Sequence, residues 1–364
     1  MSLSMTQGLK VAFFGSSLVS AYWNGAATYY RGIIKNLSGL GHGITFYEPD
    51  AYDRQRHRDI DDPDWADVVV YPATLDGVEE ALGKAKGADL IIKASGVGVF
   101  DDYLEKAVID ARSPGALAAF WDVDAPATLE RMKADAADHF RPLVPKYDLI
   151  FTYGGGPRVV DEYRGFGARD CIPIYNALDP ETHYPVSPVE RFRADLGFLG
   201  NRMPDREARV REFFFKAAAV RPARKFLLGG SGWDGLSLPN VARLGHVYTA
   251  DHNAFNSTCL AVLNINRDSM ARYGFSPPTR IFEAAGAGAC IITDRWAGIE
   301  QFLEPGKEVL VAGSGDEVAW ILDGLTPERA ADMGRNAFRR VMSEHTYTHR
   351  AREVDAALLG LSFK

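Results

Sequence analysis

Cysteine is scarce in this sequence. Its 364 residues include three cysteines, Cys171, Cys259 and Cys290, and no two of them form a Cys-x-x-Cys pair. An odd, scattered set of this kind excludes a disulfide framework and a thiolate zinc site. It is typical of a protein kept in a reducing compartment, so we expect a cytoplasmic location.

Long apolar runs and an excess of positive charge are also missing. No apolar run approaches the roughly 18 residues of a membrane-spanning helix, and no basic-then-apolar signal peptide opens the chain. We therefore expect no transmembrane segment. The net charge of -7 disfavours a nucleic-acid partner, which would need a basic surface. A nucleotide enzyme with a few local arginines is not excluded.

Two familiar phosphate motifs and a familiar zinc motif are absent as well. Residues 15–17, Gly-Ser-Ser, follow an apolar run but complete neither a G-x-G-x-x-G fingerprint nor a Walker loop. His345 and His349 are four residues apart without the glutamate of an H-E-x-x-H motif. We expect no bound metal and no cofactor other than a co-substrate.

What the sequence does contain is a repeated alternation of short apolar runs with helix-length segments. The runs predict parallel strands covered on both faces, near residues 9–15, 44–47, 67–71, 89–93, 116–121, 147–152, 195–200, 225–230, 259–265, 289–293 and 308–311. A chain of this length favours two domains. The fold class is therefore α/β, with two Rossmann-like, doubly wound parallel sheets facing a cleft.

A proline-rich stretch after residue 175 marks the predicted domain boundary. We assign residues 8–175 to an acceptor-side domain and residues 176–345 to a donor domain. Residues 346–364 form a predicted C-terminal helix that packs back on the first domain.

The most informative segment is residues 264–289, where a strand ends, a proline-containing loop follows and a helix begins near Thr279. The free N–H groups at a helix start favour an anion. Glu283 lies one turn into this helix, where a carboxylate can accept two hydrogen bonds from a ribose diol. The alternative is a glutamate that only complements the helix dipole.

This segment resembles the donor site of GT-B glycosyltransferases, in which a Glu-x7-Glu stretch precedes a small-residue helix. Glu283 matches the second glutamate, which the resemblance implies binds the nucleotide ribose. Phe275 stands where the first glutamate would be. This departure moves the resemblance away from the main retaining families and toward CgeB-like (spore-maturation-type) or group 1-like glycosyltransferases. Residues 280–284, Arg-Ile-Phe-Glu-Ala, match the Arg-x-Phe-Glu-Ala run of the CgeB-like pattern.

Further matches follow in the expected order. Residues 176–185 resemble the turn that enters the donor domain, and residues 244–247 resemble the loop that binds the nucleotide base through its backbone. A guanidinium after the strand ending at Gly200 suits a diphosphate, because its fork matches two oxygens. The candidate donor-binding residues are Asn201, Arg202, Arg206, His246, Val247, Arg267, Thr279, Arg280 and Glu283.

Two carboxylates, Asp122 and Asp124, follow the predicted strand at 116–121. Either is a candidate general base for an acceptor hydroxyl. Two alternatives stay open: an Asp-x-Asp metal motif, or capping of a helix by Asp124 ahead of Pro126.

Together these features predict a metal-independent glycosyltransferase of hexosyltransferase type, using a nucleotide-diphosphate sugar, UDP-type favoured, and a small-molecule, glycan or protein acceptor. The alternatives are a sugar-nucleotide epimerase of the same fold and a non-catalytic two-domain sugar or nucleotide binder.

Overall fold

The computed structural model describes residues 8–22, 24–235 and 237–362. The chain divides into two compact units. The first unit ends at Tyr175 and resumes at Tyr347, and the second spans Asn176–Thr346.

A seven-stranded sheet forms the centre of the first unit. Its strands are β1 (Lys10–Phe14), β2 (Gly43–Asp50), β3 (Asp67–Pro72), β4 (Leu90–Ala94), β5 (Leu117–Asp122), β6 (Leu149–Thr152) and β7 (Cys171–Pro173). All pairings are parallel, in the order β3-β2-β1-β4-β5-β6-β7. The helices between them are α1 (Ala27–Gly39), α2 (Leu75–Ala85), α3 (Asp101–Ala111), α4 (Ala125–Ala134) and α5 (Gly156–Gly165). The strands are apolar because helices cover the sheet.

A six-stranded parallel sheet, in the order β10-β9-β8-β11-β12-β13, forms the centre of the second unit. Its strands are β8 (Leu196–Leu199), β9 (Phe226–Gly229), β10 (Val241–Gly245), β11 (Ala261–Asn264), β12 (Ile291–Asp294) and β13 (Leu310–Ala312). Its helices are α6 (Pro204–Val210), α7 (Lys216–Val220), α8 (Thr249–Thr258), α9 (Asp268–Tyr273), α10 (Thr279–Gly286), α11 (Gly315–Gly324) and α12 (Pro327–Glu344). A π-helical turn, Arg211–Phe215, joins α6 to α7. The predicted α/β class with two parallel-sheet domains is confirmed.

Short 3-10 helices lie in the loops at Arg54–His57, Val144–Lys146, Glu190–Phe192 and Ile299–Gln301. None of the helices in the described part of the chain has the length and apolar character needed to cross a membrane.

The last helix, α13 (Tyr347–Ser362), belongs to the first unit. Its first residue packs against Gly32 of α1, where an added Cβ would lie 2.3 Å from the Tyr347 ring. The Thr348 hydroxyl donates to Asn36 Oδ1 over 2.6 Å. The imidazole of His42, which follows α1, pairs with Asp355 over 3.1 Å. Glycine at position 32 therefore permits the close approach of α13 to α1.

Candidate functional site

A pocket of about 310 Å³ opens within the second unit. Its walls come from the carboxyl ends of β8 and β9, the segment after β10, and helices α6, α8 and α10. Six predicted donor residues line it: Asn201, Arg206, His246, Val247, Arg280 and Glu283. We call it the C-terminal pocket. Carboxyl ends of parallel strands are where open α/β sheets bind ligands.

The ends of β8 and β9 approach each other closely in the wall of this pocket. Gly230 has a φ of +120°, and a Cβ there would lie 2.2 Å from the carbonyl oxygen of Gly200. The side chain of Asn201 accepts a hydrogen bond from the backbone N–H of Ser231 over 2.9 Å. Any side chain at position 230 would therefore push the two strand ends apart and disturb the pocket wall.

Two arginines of the pocket share one aromatic neighbour. The guanidinium carbons of Arg206 and Arg280 each lie 5.7 Å from the centre of the Phe198 ring. Arg206 is 9% exposed; its Nη2 donates to the backbone oxygen of Asn201 over 2.6 Å, whereas its buried Nε has no hydrogen-bond partner. Such a donor is costly unless a ligand satisfies it.

The electrostatics of these arginines also favour an anion. Burial, reinforced by the positive charge of Arg280, lowers the pKa of Arg206 to about 10. Burial likewise lowers the pKa of Arg280, and the carboxylate of Glu283 partly offsets this shift. Among the described residues that line the pocket, Glu283 is the one carboxylate beside the positive charges of Arg206 and Arg280. This excess of positive charge suits a phosphate-bearing ligand.

Glu283 lies on α10 one turn after Thr279 and is half-buried in the pocket wall. The Nε2 atom of His183 lies 3.9 Å from its Oε1 atom. His252 lines the same pocket, and its Nε2 donates to the backbone oxygen of Val247 over 3.2 Å. Burial lowers the pKa of His252, against the opposing effect of Glu283.

Three predicted donor residues do not line the pocket. Arg202 is exposed and pairs with Glu207 over 2.7 Å. Arg267 is exposed and pairs with Asp205 over 2.5 Å. Thr279 is the first residue of α10 and is half-buried. Arg202 and Arg267 are each paired with a carboxylate outside the pocket. Of the four arginines considered for the diphosphate, Arg206 and Arg280 therefore remain as the candidates that line the pocket.

Asp122, the first of the two candidate bases, is held by hydrogen bonds inside the first unit. Asp122 ends β5 and is fully buried. Its oxygens accept hydrogen bonds from Tyr163 Oη over 2.5 Å, from Ser95 Oγ over 2.8 Å and from the Asp124 N–H over 3.0 Å. Burial and these hydrogen bonds disfavour Asp122 as a base or as a metal ligand of an Asp-x-Asp motif, and both roles stay predictions. Its role is to fix the turn after β5.

Asp124 is exposed and stands at the N-cap position of α4. Its side chain makes no capping hydrogen bond, because its backbone has φ of -142° and ψ of 55°. The capping alternative is therefore wrong for this side chain. The base role stays a prediction, and Asp124 is the exposed one of the two candidates.

Six pocket-lining residues were not among the predicted donor residues: Leu199, Gly200, Met203, Gly230, His252 and Asn256. His183, which faces Glu283, was also missed. The helical segment that carries His252 and Asn256 is mostly polar, and the sequence does not show which of its polar residues turn inward. His183 lies in the proline-rich stretch that marked the domain boundary. Its proximity to Glu283 of α10 is visible only in the structure.

Sequence and structure comparisons bear on this fold and pocket. Residues 206–356 match the model of a family described as glycosyl transferase-like. No curated protein is significantly similar to the chain in sequence.

The fold resembles that of sucrose-phosphate synthase from Thermosynechococcus elongatus, with a TM-score of 0.71, 12% identity, and coverage of 97% of this chain and 99% of that one. It also resembles Anabaena Alr3699/HepE in complex with UDP-glucose, with a TM-score of 0.64, 16% identity, and coverage of 97% and 100%. HepE in complex with UDP gives a TM-score of 0.68 at the same identity. The chain therefore has the GT-B fold, and residues 206–356 are similar to a glycosyl transferase-like family.

Proposed function

We propose that this protein is a glycosyltransferase that moves a sugar from a nucleotide-diphosphate donor to an acceptor hydroxyl. The observation that carries the proposal is one pocket that holds Arg206, Arg280 and Glu283. The two guanidinium groups suit a diphosphate, and the carboxylate suits the two hydroxyls of a ribose. Among the ligand classes considered, a nucleoside diphosphate contains both a diphosphate and a ribose.

In this mechanism Arg206 and Arg280 bind the diphosphate and stabilise the negative charge that grows on it as the glycosidic bond breaks. This removes the need for a metal ion, and we propose a metal-independent reaction. Asp124 of the first unit removes the proton from the acceptor hydroxyl. The acceptor, a small molecule, glycan or protein, binds on the first unit.

We further propose a UDP-sugar as donor, a hexose as the transferred group, and membership of the CgeB-like branch. HepE, which has the same fold, is described in complex with UDP-glucose and with UDP and glucose, which supports the donor class. The Arg-Ile-Phe-Glu-Ala sequence of residues 280–284 supports membership of the CgeB-like branch. The free thiols of Cys171, Cys259 and Cys290 are in keeping with a cytoplasmic location.

A screen of nucleotide sugars by thermal shift tests the proposal first. A ligand at 100 times its dissociation constant should stabilise the protein by about 2.7 kcal/mol. We expect UDP and UDP-glucose to raise the melting temperature and NAD and ATP to leave it unchanged. A protein that responds to none of the nucleotide sugars would contradict the proposal.

Turnover then separates the alternatives. A glycosyltransferase releases UDP from UDP-glucose faster when a panel of sugar acceptors is added. An epimerase converts UDP-glucose to another UDP-hexose without an acceptor. A non-catalytic binder leaves the nucleotide sugar intact under all these conditions.

A further inference from the structure

Two histidines and a glutamate come together at one wall of the C-terminal pocket. One side-chain nitrogen each from His183 and His252 and one oxygen of Glu283 all lie within 4.8 Å of one another. His183 is buried, and His252 and Glu283 are half-buried. His252 and Glu283 also line the pocket, so an ion held here would have access to solvent.

The hydrogen bonds around the two imidazoles fix which nitrogen of each carries a proton. Thr182 Oγ1 donates its hydrogen to the Asp179 carbonyl over 3.1 Å, so it accepts from Nδ1 of His183 over 2.9 Å. Nε2 of a neutral His183 then presents a lone pair to Glu283 Oε1, 3.9 Å away. The Val247 carbonyl can only accept, so Nε2 of His252 carries a hydrogen and Nδ1 has the lone pair.

An acceptor nitrogen therefore faces an acceptor oxygen with no donor between them. Only a proton, a donor from a ligand or a cation makes that arrangement favourable. Metal-ligating histidines hold their other ring nitrogen in a hydrogen bond, as His183 does through Thr182. Two histidines and one carboxylate with an open fourth position are a zinc ligand set.

A second group of the same composition offers a comparison. Among the described residues, Asp102, Glu105 and His139 also bring three such atoms within 4.8 Å. There, however, His139 Nε2 lies 2.8 Å from Glu105 Oε2, and the ammonium of Lys93 lies 3.7 Å from Glu105 Oε1. Hydrogen bonding and the ammonium of Lys93 already satisfy that carboxylate. Within the described part of the chain, no lysine or arginine lies within salt-bridge distance of Glu283.

We propose that His183, His252 and Glu283 bind a zinc ion that inhibits the enzyme by competing with the donor nucleotide. The competition rests on the proposed function, because zinc and the ribose would both use Glu283. Zinc here is not a catalytic ion. The positive charge of Arg280 in the same pocket opposes it, so we expect reversible binding, weaker than at a structural site.

Direct metal binding tests the site without reference to activity. The untagged full chain, freed of metal, is titrated with Zn²⁺ in the presence of a chromophoric chelator, and Co²⁺ is used in parallel to report ligand geometry from its visible absorption. We expect one pocket ion per chain and the absorption of a four-coordinate cobalt site. His183→Gln and His252→Ala should each weaken Zn²⁺ binding by about tenfold or more.

His139→Ala is the matched control, because it removes a histidine from the comparison group and should leave Zn²⁺ affinity unchanged. Circular dichroism and melting curves establish that each variant is folded. Zinc binding that is absent from the folded wild type, or that falls only in His139→Ala, would overturn the site.

Calorimetry with UDP then tests competition. Saturating Zn²⁺ should weaken UDP binding about tenfold or more in the wild type and in His139→Ala, and have little effect in His252→Ala. If Zn²⁺ binds through His183 but UDP affinity is unaffected, the inhibitory role is wrong. If UDP does not bind even without metal, the proposed function fails while the zinc titration still decides the site.

Discussion

Arg206 and Arg280 place their guanidinium carbons at the same distance, 5.7 Å, from the centre of the Phe198 ring. One arginine comes from α6 and the other from α10, so two separate helix starts bring positive charge to one aromatic side chain. Burial lowers the pKa of Arg206, and the positive charge of Arg280 adds to that shift. A doubly charged anion would stabilise both.

Replacing one of these arginines should weaken nucleotide binding selectively. We expect Arg280→Met to reduce UDP affinity roughly 10- to 100-fold, since a hydrogen bond to a charged group contributes about 1.5–3 kcal/mol. The affinity for uridine, which lacks phosphate, should fall much less in this variant. Calorimetry with both ligands measures the difference.

Arg202→Met is the matched control, because Arg202 is exposed, pairs with Glu207 and lies outside the pocket. It should bind UDP like the wild type. Equal losses in both variants would show that general electrostatic attraction, rather than the pocket, holds the phosphates.

Glu283 should account for recognition of the ribose. The wild type is expected to bind UDP better than its 2′-deoxy and 3′-deoxy analogues, because a site that hydrogen-bonds a hydroxyl disfavours a ligand without it. Glu283→Gln should weaken UDP binding and reduce this discrimination. Glu300→Gln, an exposed glutamate of the same unit, serves as control. If Glu283→Gln still discriminates between UDP and its deoxy analogues as the wild type does, Glu283 does not bind the ribose hydroxyls.

The two aspartates after β5 should respond differently to the same substitution. Asp122→Asn replaces an oxygen that accepts hydrogen bonds in a fully buried position, so we expect a loss of about 1.5–3 kcal/mol in unfolding free energy and turnover close to normal per folded molecule. Asp124→Asn should lower turnover about 10²- to 10⁴-fold with little change in stability. Denaturant unfolding and turnover at saturating donor and acceptor check both. Normal turnover in Asp124→Asn would mean that the base lies elsewhere.

Removing divalent metal should leave the reaction intact. With Arg206 and Arg280 stabilising the charge of the departing diphosphate, EDTA should not lower turnover. If the preparation contains traces of inhibitory zinc, EDTA should raise turnover by removing it. Loss of activity in EDTA that magnesium or manganese restores would contradict a metal-independent mechanism.

The three cysteines should be unreactive in the folded protein. Burial raises the pKa of Cys171, Cys259 and Cys290 from 9.0 to about 12. Iodoacetamide at pH 8 should therefore modify all three only after denaturation. Because their folded pKa exceeds the unfolded value, their contribution to stability is complete below pH 9 and is lost as the pH rises toward 12. Denaturant midpoints measured across that range should fall. Rapid labelling of the native protein would contradict the burial of these thiols.

The sheet could be predicted from sequence because short apolar strands alternating with helices leave little choice of architecture. The position of β5 placed two aspartates at its end, but the sequence could not show that Tyr163, on α5, would donate to Asp122 and bury it. Likewise, Arg202 and Arg206 both follow β8, and only the packing of Phe198 and Glu207 distinguishes the arginine that faces the pocket from the one that faces solvent. Contacts between residues far apart in the chain decided each of these cases.

The position of α13 against α1 has a consequence for synthesis on the ribosome. The second unit is one continuous stretch, Asn176–Thr346, whereas the first unit needs its final helix from the opposite end of the chain. Domains fold as units while the chain emerges. The second unit can therefore complete its fold first, while the space beside Gly32 that Tyr347 occupies stays open until α13 has been translated.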